Sequence, residues 1–229
     1  MSERTLSDSQ RWLSIGTQLF GDALSDLNDP ALGLPSALEG WTRAHIVAHL
    51  VGNARALLNL VTWARTGVET PMYASQQQRL AEINSGALLP AWQLRHSFAQ
   101  SSTALAEAMT QLGDVAWHQS VRSAQGRTLS AFEIPWLRAR EVMIHSTDLR
   151  AGVTFAQLPD DFLRALVDDV IAKRSATAGH QAIVLDVDRA QYQVMGKGKP
   201  IIVSASLSAA AAYLTGRDKT VGPAIPPWL

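Results

Sequence analysis

The chain of 229 residues carries 20 basic and 20 acidic side chains, a formal net charge of zero, 47% hydrophobic residues and no cysteine. That length suits one large domain or two smaller ones, each able to bury a core without cross-links. The missing cysteines exclude a disulfide framework, a thiol nucleophile, a Cys-ligated zinc and an iron–sulfur cluster belonging to the protein itself. Balanced charge argues against general nucleic-acid binding, and no apolar run reaches the roughly 18 residues of a membrane span. Met1 to Arg11 alternate charged and polar groups with no apolar secretion signal, so a cytoplasmic protein is expected.

Over residues 7–27 the apolar positions Trp12, Ile15, Leu19, Ala23 and Leu27 recur at steps of three or four and predict a helix, which Asn28, Asp29 and Pro30 stop. Thr42 is a candidate N-cap for a second helix through His45, Leu50, Leu57, Leu60 and Trp63 to Arg65, with Gly67 beyond its end. This helix is apolar around most of its circumference, which places it centrally in a bundle. A shorter helix is predicted over 76–83, and a third long one starts at Pro90 and ends near Gly113. Residues 114–128, with Gln125-Gly126-Arg127, read as a loop or short hairpin. Ser130-Ala131-Phe132-Glu133 has the spacing of a capping box and opens a helix that runs to Leu149, before Gly152. Four main helices with short connections predict an up-and-down bundle.

The pattern then changes. Residues 159–173 predict one more amphipathic helix, whereas 182–187, 192–195 and 200–204 are rich in β-branched residues at strand length. Gly196-Lys197-Gly198 is a candidate hairpin turn between the last two strands, and 207–214 form a final helix ended by Gly216. The expected fold class is α+β, with a four-helix bundle over 1–154 and a small α+β domain over 155–229.

Histidines stand at positions 45, 49, 96, 118, 145 and 180. His45 and His49 are four residues apart on the second helix, and Glu141 and His145 are four apart on the fourth, so each pair stacks on one helix face. Two facing helices of this kind bring three or four ligand-type groups to one point. Two imidazoles and one carboxylate would leave an open position on a divalent metal, as catalytic sites require. Zinc is favoured by abundance and by imidazole, while manganese, cobalt and nickel suit the same donors. The alternative is ordinary: a helix histidine is more often a hydrogen-bonded core residue, and Glu–His at this spacing is a common surface pair. The apolar neighbours Val142-Met143-Ile144 favour the site, because a carboxylate buried among them is costly without a cation. Asn53, one turn beyond His49, either points at the same place as a substrate- or thiol-binding group or is a solvated or helix-packing amide. Arg127, Arg138 and Arg140 are candidate anion-binding groups or surface charges, and Arg217, just past a helix end, complements the helix dipole or binds substrate.

Glu39-Gly40-Trp41-Thr42-Arg43-Ala44-His45-Ile46-Val47-Ala48-His49-Leu50, Thr66-Gly67-Val68-Glu69-Thr70-Pro71-Met72-Tyr73, Ala124-Gln125-Gly126-Arg127-Thr128 and Arg138-Ala139-Arg140-Glu141-Val142-Met143-Ile144-His145 together resemble the mycothiol-dependent maleylpyruvate isomerases of the DinB-like metalloprotein superfamily. The resemblance extends through Leu214-Thr215-Gly216-Arg217 to the closing Pro226-Pro227-Trp228-Leu229 and is weaker in this C-terminal part. It implies a DinB-like bundle, zinc on His49, Glu141 and His145 with water in the open position, and a catalytic, substrate-binding Arg217 over the metal. It uses the second histidine of the first pair, which makes His45 a packing or supporting residue.

The implied reaction is the cis–trans conversion of maleylpyruvate to fumarylpyruvate in gentisate-type aromatic degradation. A thiolate adds to the double bond, the resulting single bond rotates, and elimination releases the trans product. The partners are then a small dicarboxylate and a low-molecular-weight thiol. The resemblance implies mycothiol, though glutathione or ergothioneine would meet the metal through the same sulfur. Two other functions are open: a thiol S-transferase that releases the adduct, and a non-enzymatic metal-binding or regulatory module. The expected assembly is a monomer or weak homo-oligomer without nucleic acid or membrane.

Overall fold

The computed structural model describes residues 4–176, 181–188 and 190–225, so His180 and the closing Pro226-Pro227-Trp228-Leu229 lie outside the described residues. The chain divides into two units, Met1–Val153 and Thr154–Leu229. Among the described residues no helix is long and apolar enough to cross a membrane.

The first unit holds α1 (Leu6–Ser25), α2 (Arg43–Thr66), α3 (Gln76–Gly86), α4 (Ala91–Thr110), the single turn α5 (Asp114–Trp117), a hairpin of β1 (Ser120–Arg122) and β2 (Thr128–Ser130), and α6 (Ile134–Asp148). Asn28 caps a 3-10 turn over Asp29–Gly33, as the stop after α1 requires. The α2 N-terminus is fixed by Thr42, whose hydroxyl accepts from the His45 backbone N–H. The His45 ring returns the bond, with Nδ1 2.7 Å from Thr42 Oγ1 and 3.3 Å from its backbone nitrogen. His45 thus does what a Glu does in a capping box.

The apolar circumference of α2 is buried along its length. Ile46, Val47 and Leu50 pack with Phe20, Leu24, Leu94, Phe98 and Val142, and Leu57, Leu60 and Val61 pack with Leu105, Met109 and Ile134. Each such side chain, fully buried, stabilises the fold by roughly 1.5–3 kcal/mol relative to exposure.

The expected bundle is present, but its helix directions do not alternate. α1 and α6 run parallel: Arg4 meets Glu133 at 2.7 Å, Trp12 meets Trp136 edge-on at 5.7 Å, and a Cβ on Gly16 would fall 2.7 Å from Val142. α2 runs antiparallel to α6, with Arg43 donating to the Leu149 carbonyl at 2.6 Å and Arg138 donating to Asn53 at 2.8 Å. α4 is antiparallel to α1, since Phe98 packs on Phe20 and Arg95 donates to the Leu27 carbonyl. α2 and α4 are therefore parallel. The order is up-down-down-up, because the segment carrying α3 returns the chain to the end of the bundle where α2 began. The predicted capping box at Ser130 also does not form. The Ser130 hydroxyl accepts from the Phe132 N–H and donates to the Trp117 carbonyl, while Glu133 is taken by Arg4.

In the second unit α7 (Asp160–Ser175) and α8 (Leu207–Leu214) accompany a sheet of β3 (Gln181–Val187), β4 (Ala190–Val194) and β5 (Lys197–Ala205). The strand order is β4-β3-β5, with β3 antiparallel to β4 and parallel to β5. Ile183, Leu185 and Val187 alternate onto the buried face, and Arg174 ties α7 to α8 by donating Nε and Nη2 to the Leu214 carbonyl at 2.9 and 2.7 Å. This corrects the expected hairpin at Gly196-Lys197-Gly198. β4 and β5 flank β3 instead of pairing, and the chain crosses the start of β3 at Gly196, where a Cβ would lie 2.6 Å from the Gln181 carbonyl carbon. The helical region followed by a small sheet with helices is the α+β class expected.

Candidate metal centre

α2 and α6, packed antiparallel, bring His49, Glu141 and His145 together. One ligand atom from each lies within 4.8 Å of the others. His49 Nε2 is 2.8 Å and His145 Nε2 is 3.4 Å from the same Glu141 oxygen, and the imidazole rings meet edge-on at 4.9 Å. The three side chains are 6, 16 and 11% exposed in that order, so the group is enclosed without being sealed.

The electrostatics follow from that enclosure. Burial pushes His49 below its ordinary value, against the opposing pull of Glu141. Burial also pushes His145 down, but hydrogen bonds to Asp148 and Glu141 outweigh it and hold this histidine above the usual value. For Glu141, burial alone would raise the carboxyl, yet bonds and charge from the two histidines together carry it well below the usual carboxylate range. Glu141 is thus an anion with two imidazole nitrogens aimed at one of its oxygens, and this donor set fits a divalent cation.

Behind the group, the fully buried Asp148 places Oδ2 2.8 Å from His145 Nδ1. Such a carboxylate fixes the ring so that the other nitrogen faces the cation position. On the α3 side, Arg79 Nη2 is 3.3 Å from His49 Nδ1 and its guanidinium lies 5.6 Å from the Tyr73 ring centre. Trp41 stands 5.7 Å from the His49 ring. Asp148 had a signal in sequence, being three residues beyond His145 and so on the same helix face. Arg79 had none, since nothing local ties α3 to α2.

The other candidates fall elsewhere. His45 caps α2 and is outside the group; His96 and His118 are exposed. Asn53 is buried and its Oδ1 accepts from Arg138, a geometry that supports the helix-packing role over the substrate-binding one. Arg138 and Arg140 are buried rather than surface charges, Arg140 lying 5.7 Å over the Trp136 ring, while Arg127 is exposed at the β1–β2 turn. Arg217 follows α8 in the second unit, its backbone N–H bonded to the Ala212 carbonyl and its Nη1 donating to the Thr215 carbonyl at 2.7 Å.

Among curated proteins, none matches this chain. Solved structures do. A crystal structure of the mycothiol-dependent maleylpyruvate isomerase superposes with a TM-score of 0.92 at 35% identity, covering 96% of this chain and 94% of the other. The structure of a histidine-to-alanine mutant of the mycothiol-dependent maleylpyruvate isomerase gives 0.93 at 34% identity, covering 99% of both chains. Residues 13–150, which span α2, α6 and all three converging side chains, match the family described as the mycothiol maleylpyruvate isomerase N-terminal domain. With an enclosed His–Glu–His group on the two helices that this match covers, the chain belongs to the mycothiol maleylpyruvate isomerase family.

Proposed function

We propose that this chain is a thiol-dependent maleylpyruvate isomerase with a divalent cation, zinc, held by His49, Glu141 and His145. The observation that carries the reading is the convergence of two imidazoles and one carboxylate in a chain of this family that has no cysteine of its own. The sulfur nucleophile must then arrive on a small molecule, mycothiol by family. A bound cation supplies the ionising field such a thiol needs, since a free thiol of pKa about 8.5 is only a few per cent thiolate at neutral pH, a deficit of about 2 kcal/mol in barrier.

The atoms balance without oxidant or reductant. A carbon–sulfur bond forms at one alkene carbon while the π electrons move into the conjugated carbonyl; the carbon–carbon single bond rotates; the electrons return, and the same sulfur leaves as thiolate. The chain's residues orient and stabilise. Asp148 holds the proton on His145 Nδ1, leaving Nε2 as the donor toward the cation. Glu141 offsets the cation's charge. Arg79, beside His49 and over Tyr73, is a fixed positive charge near the site and suits an anionic substrate. Arg217 is the proposed catalytic residue by resemblance, a guanidinium able to grip a carboxylate at two points and to stabilise the enolate formed on addition.

The test is a zinc-loaded assay of maleylpyruvate loss with mycothiol, glutathione and ergothioneine, following thiol alongside substrate. Fumarylpyruvate formed with thiol recovered is the expected result. Stoichiometric thiol consumption would make the protein an S-transferase, and inertness with every thiol would leave a metal-binding module.

A further inference from the structure

Between α1 and α4 the bundle opens into a groove of about 770 Å³, lined on its inner wall by Leu13, Leu24, Phe98, Leu105 and Met109 and floored by Arg138. That volume falls within the range of small-molecule sites, and the space between helices of a bundle is where such sites form. Neither α1 nor α4 carries a proposed metal ligand; the groove meets the helix of the metal centre only at Arg138, three residues before Glu141 on α6.

Its floor is the unusual feature. Arg138 has no exposed surface, and every acceptor bonded to it is neutral: the Leu50 carbonyl and Asn53 Oδ1, each at 2.8 Å, and the Ser102 hydroxyl at 3.3 Å, while the Glu141 carboxylate, one turn along α6, attracts it through space without bonding to it. Its Nε has no hydrogen-bond partner among the described residues. A buried guanidinium short of an acceptor, and without an anion bonded to it, is costly, and a bonded anion is what lowers that cost. Two other groove residues touch this cation: the Ser102 hydroxyl accepts from Nη2, and the Phe98 ring centre lies 6.0 Å from the guanidinium carbon. Arg95, at the far end, is already held by Asp29 and the Leu27 carbonyl.

We propose that this groove is a second ligand site that takes a small organic anion with an apolar body. Its carboxylate or equivalent bonds to the Arg138 edge, sharing or replacing the long bond to Ser102, and its body lies along Leu105 and Met109. From Ser102 to Met109 is about 10 Å along α4, enough for a medium alkyl chain or an aromatic ring.

The experiment uses the full chain treated with a chelator, so that binding at a cation is not read, and compares octanoate with 1-octanol by titration calorimetry. Octanoate is expected to bind about tenfold or more tightly than 1-octanol, as a charge-assisted bond predicts. Ala106→Trp, on an exposed groove position of α4, should weaken octanoate binding by about tenfold or more through lost space. Arg138→Met should erase the preference for the carboxylate; should that variant fail to fold, the comparison on the native chain and the Ala106→Trp variant decide. No binding, equal affinity for acid and alcohol, or indifference to Ala106→Trp overturns the proposal, and none of these outcomes bears on the isomerase reading.

Discussion

Asp148 does more for the candidate centre than its absence from the donor set suggests. Burial is the largest single influence on His145, and without the bond and charge of Asp148 only Glu141 is left to oppose it. Asp148→Asn is therefore expected to bring the His145 titration, followed by NMR in the metal-free protein, down from above the ordinary 6.5 toward or below it. The same change should weaken metal affinity by about 10- to 100-fold while circular dichroism stays native. An unshifted His145 titration would remove Asp148 from this role. Arg217→Ala probes the other side of the mechanism. Turnover should fall by on the order of 100-fold with metal content unchanged, as loss of one stabilising donor does. Near-normal turnover would take Arg217 out of the reaction. The spacing of His49, Glu141 and His145 within their helices made them legible as candidates, since residues four apart share a face. That His49 rather than His45 joins the group depends on how α2 is turned in the bundle, which places His45 at the cap.

At the scale of elements, propensity and caps were readable while partners were not. α2 begins after Thr42 and ends before Gly67, and α8 covers the predicted 207–214, because each boundary rests on chemistry within a few residues of itself. Glu133 shows the limit: a capping partner in local sequence is captured by Arg4, 129 residues away. The strand order fails for the same reason. Gly196-Lys197-Gly198 carries a turn signature, but β3 outcompetes β5 for pairing with β4, and the chain must cross the β3 backbone. Gly196→Ala places a Cβ 2.6 Å from the Gln181 carbonyl carbon, where only backbone can yield. A loss of about 1–3 kcal/mol in chemical denaturation is expected; an unchanged midpoint would show that the crossing has room.

For the whole molecule, protons would compete with the proposed cation for the same nitrogens, so metal should leave as pH falls below the ordinary histidine value of 6.5. The fold should outlast it: His49, its pKa depressed by burial, gives up stability as pH falls below 6.5, but His145, its pKa raised, has by then gained its full contribution. A carboxylate whose folded pKa is depressed, as that of Glu141 is, contributes stability that is present above 4.5 and lost only as pH falls through the lower folded value. His145 gains its proton on losing the metal and then pairs with Glu141 and Asp148. Metal content and far-ultraviolet circular dichroism followed together from neutral to acid pH should separate into two transitions; a single coincident loss would mean that the metal holds the bundle together. The sequence by itself determined the helical first part, the mixed second part, the lack of a thiol of its own and the ligand-type pairs on two helices, because these depend on composition and on periodicity within one element. Only the tertiary structure decided that α2 and α4 run parallel, that β3 is central, that Asp148 and Arg79 stand behind the histidines, and that Arg138 is a buried cation under a groove. Each of those is a contact between distant segments, set by which packed arrangement buries the most apolar surface with its polar groups paired, and no local spacing encodes that choice.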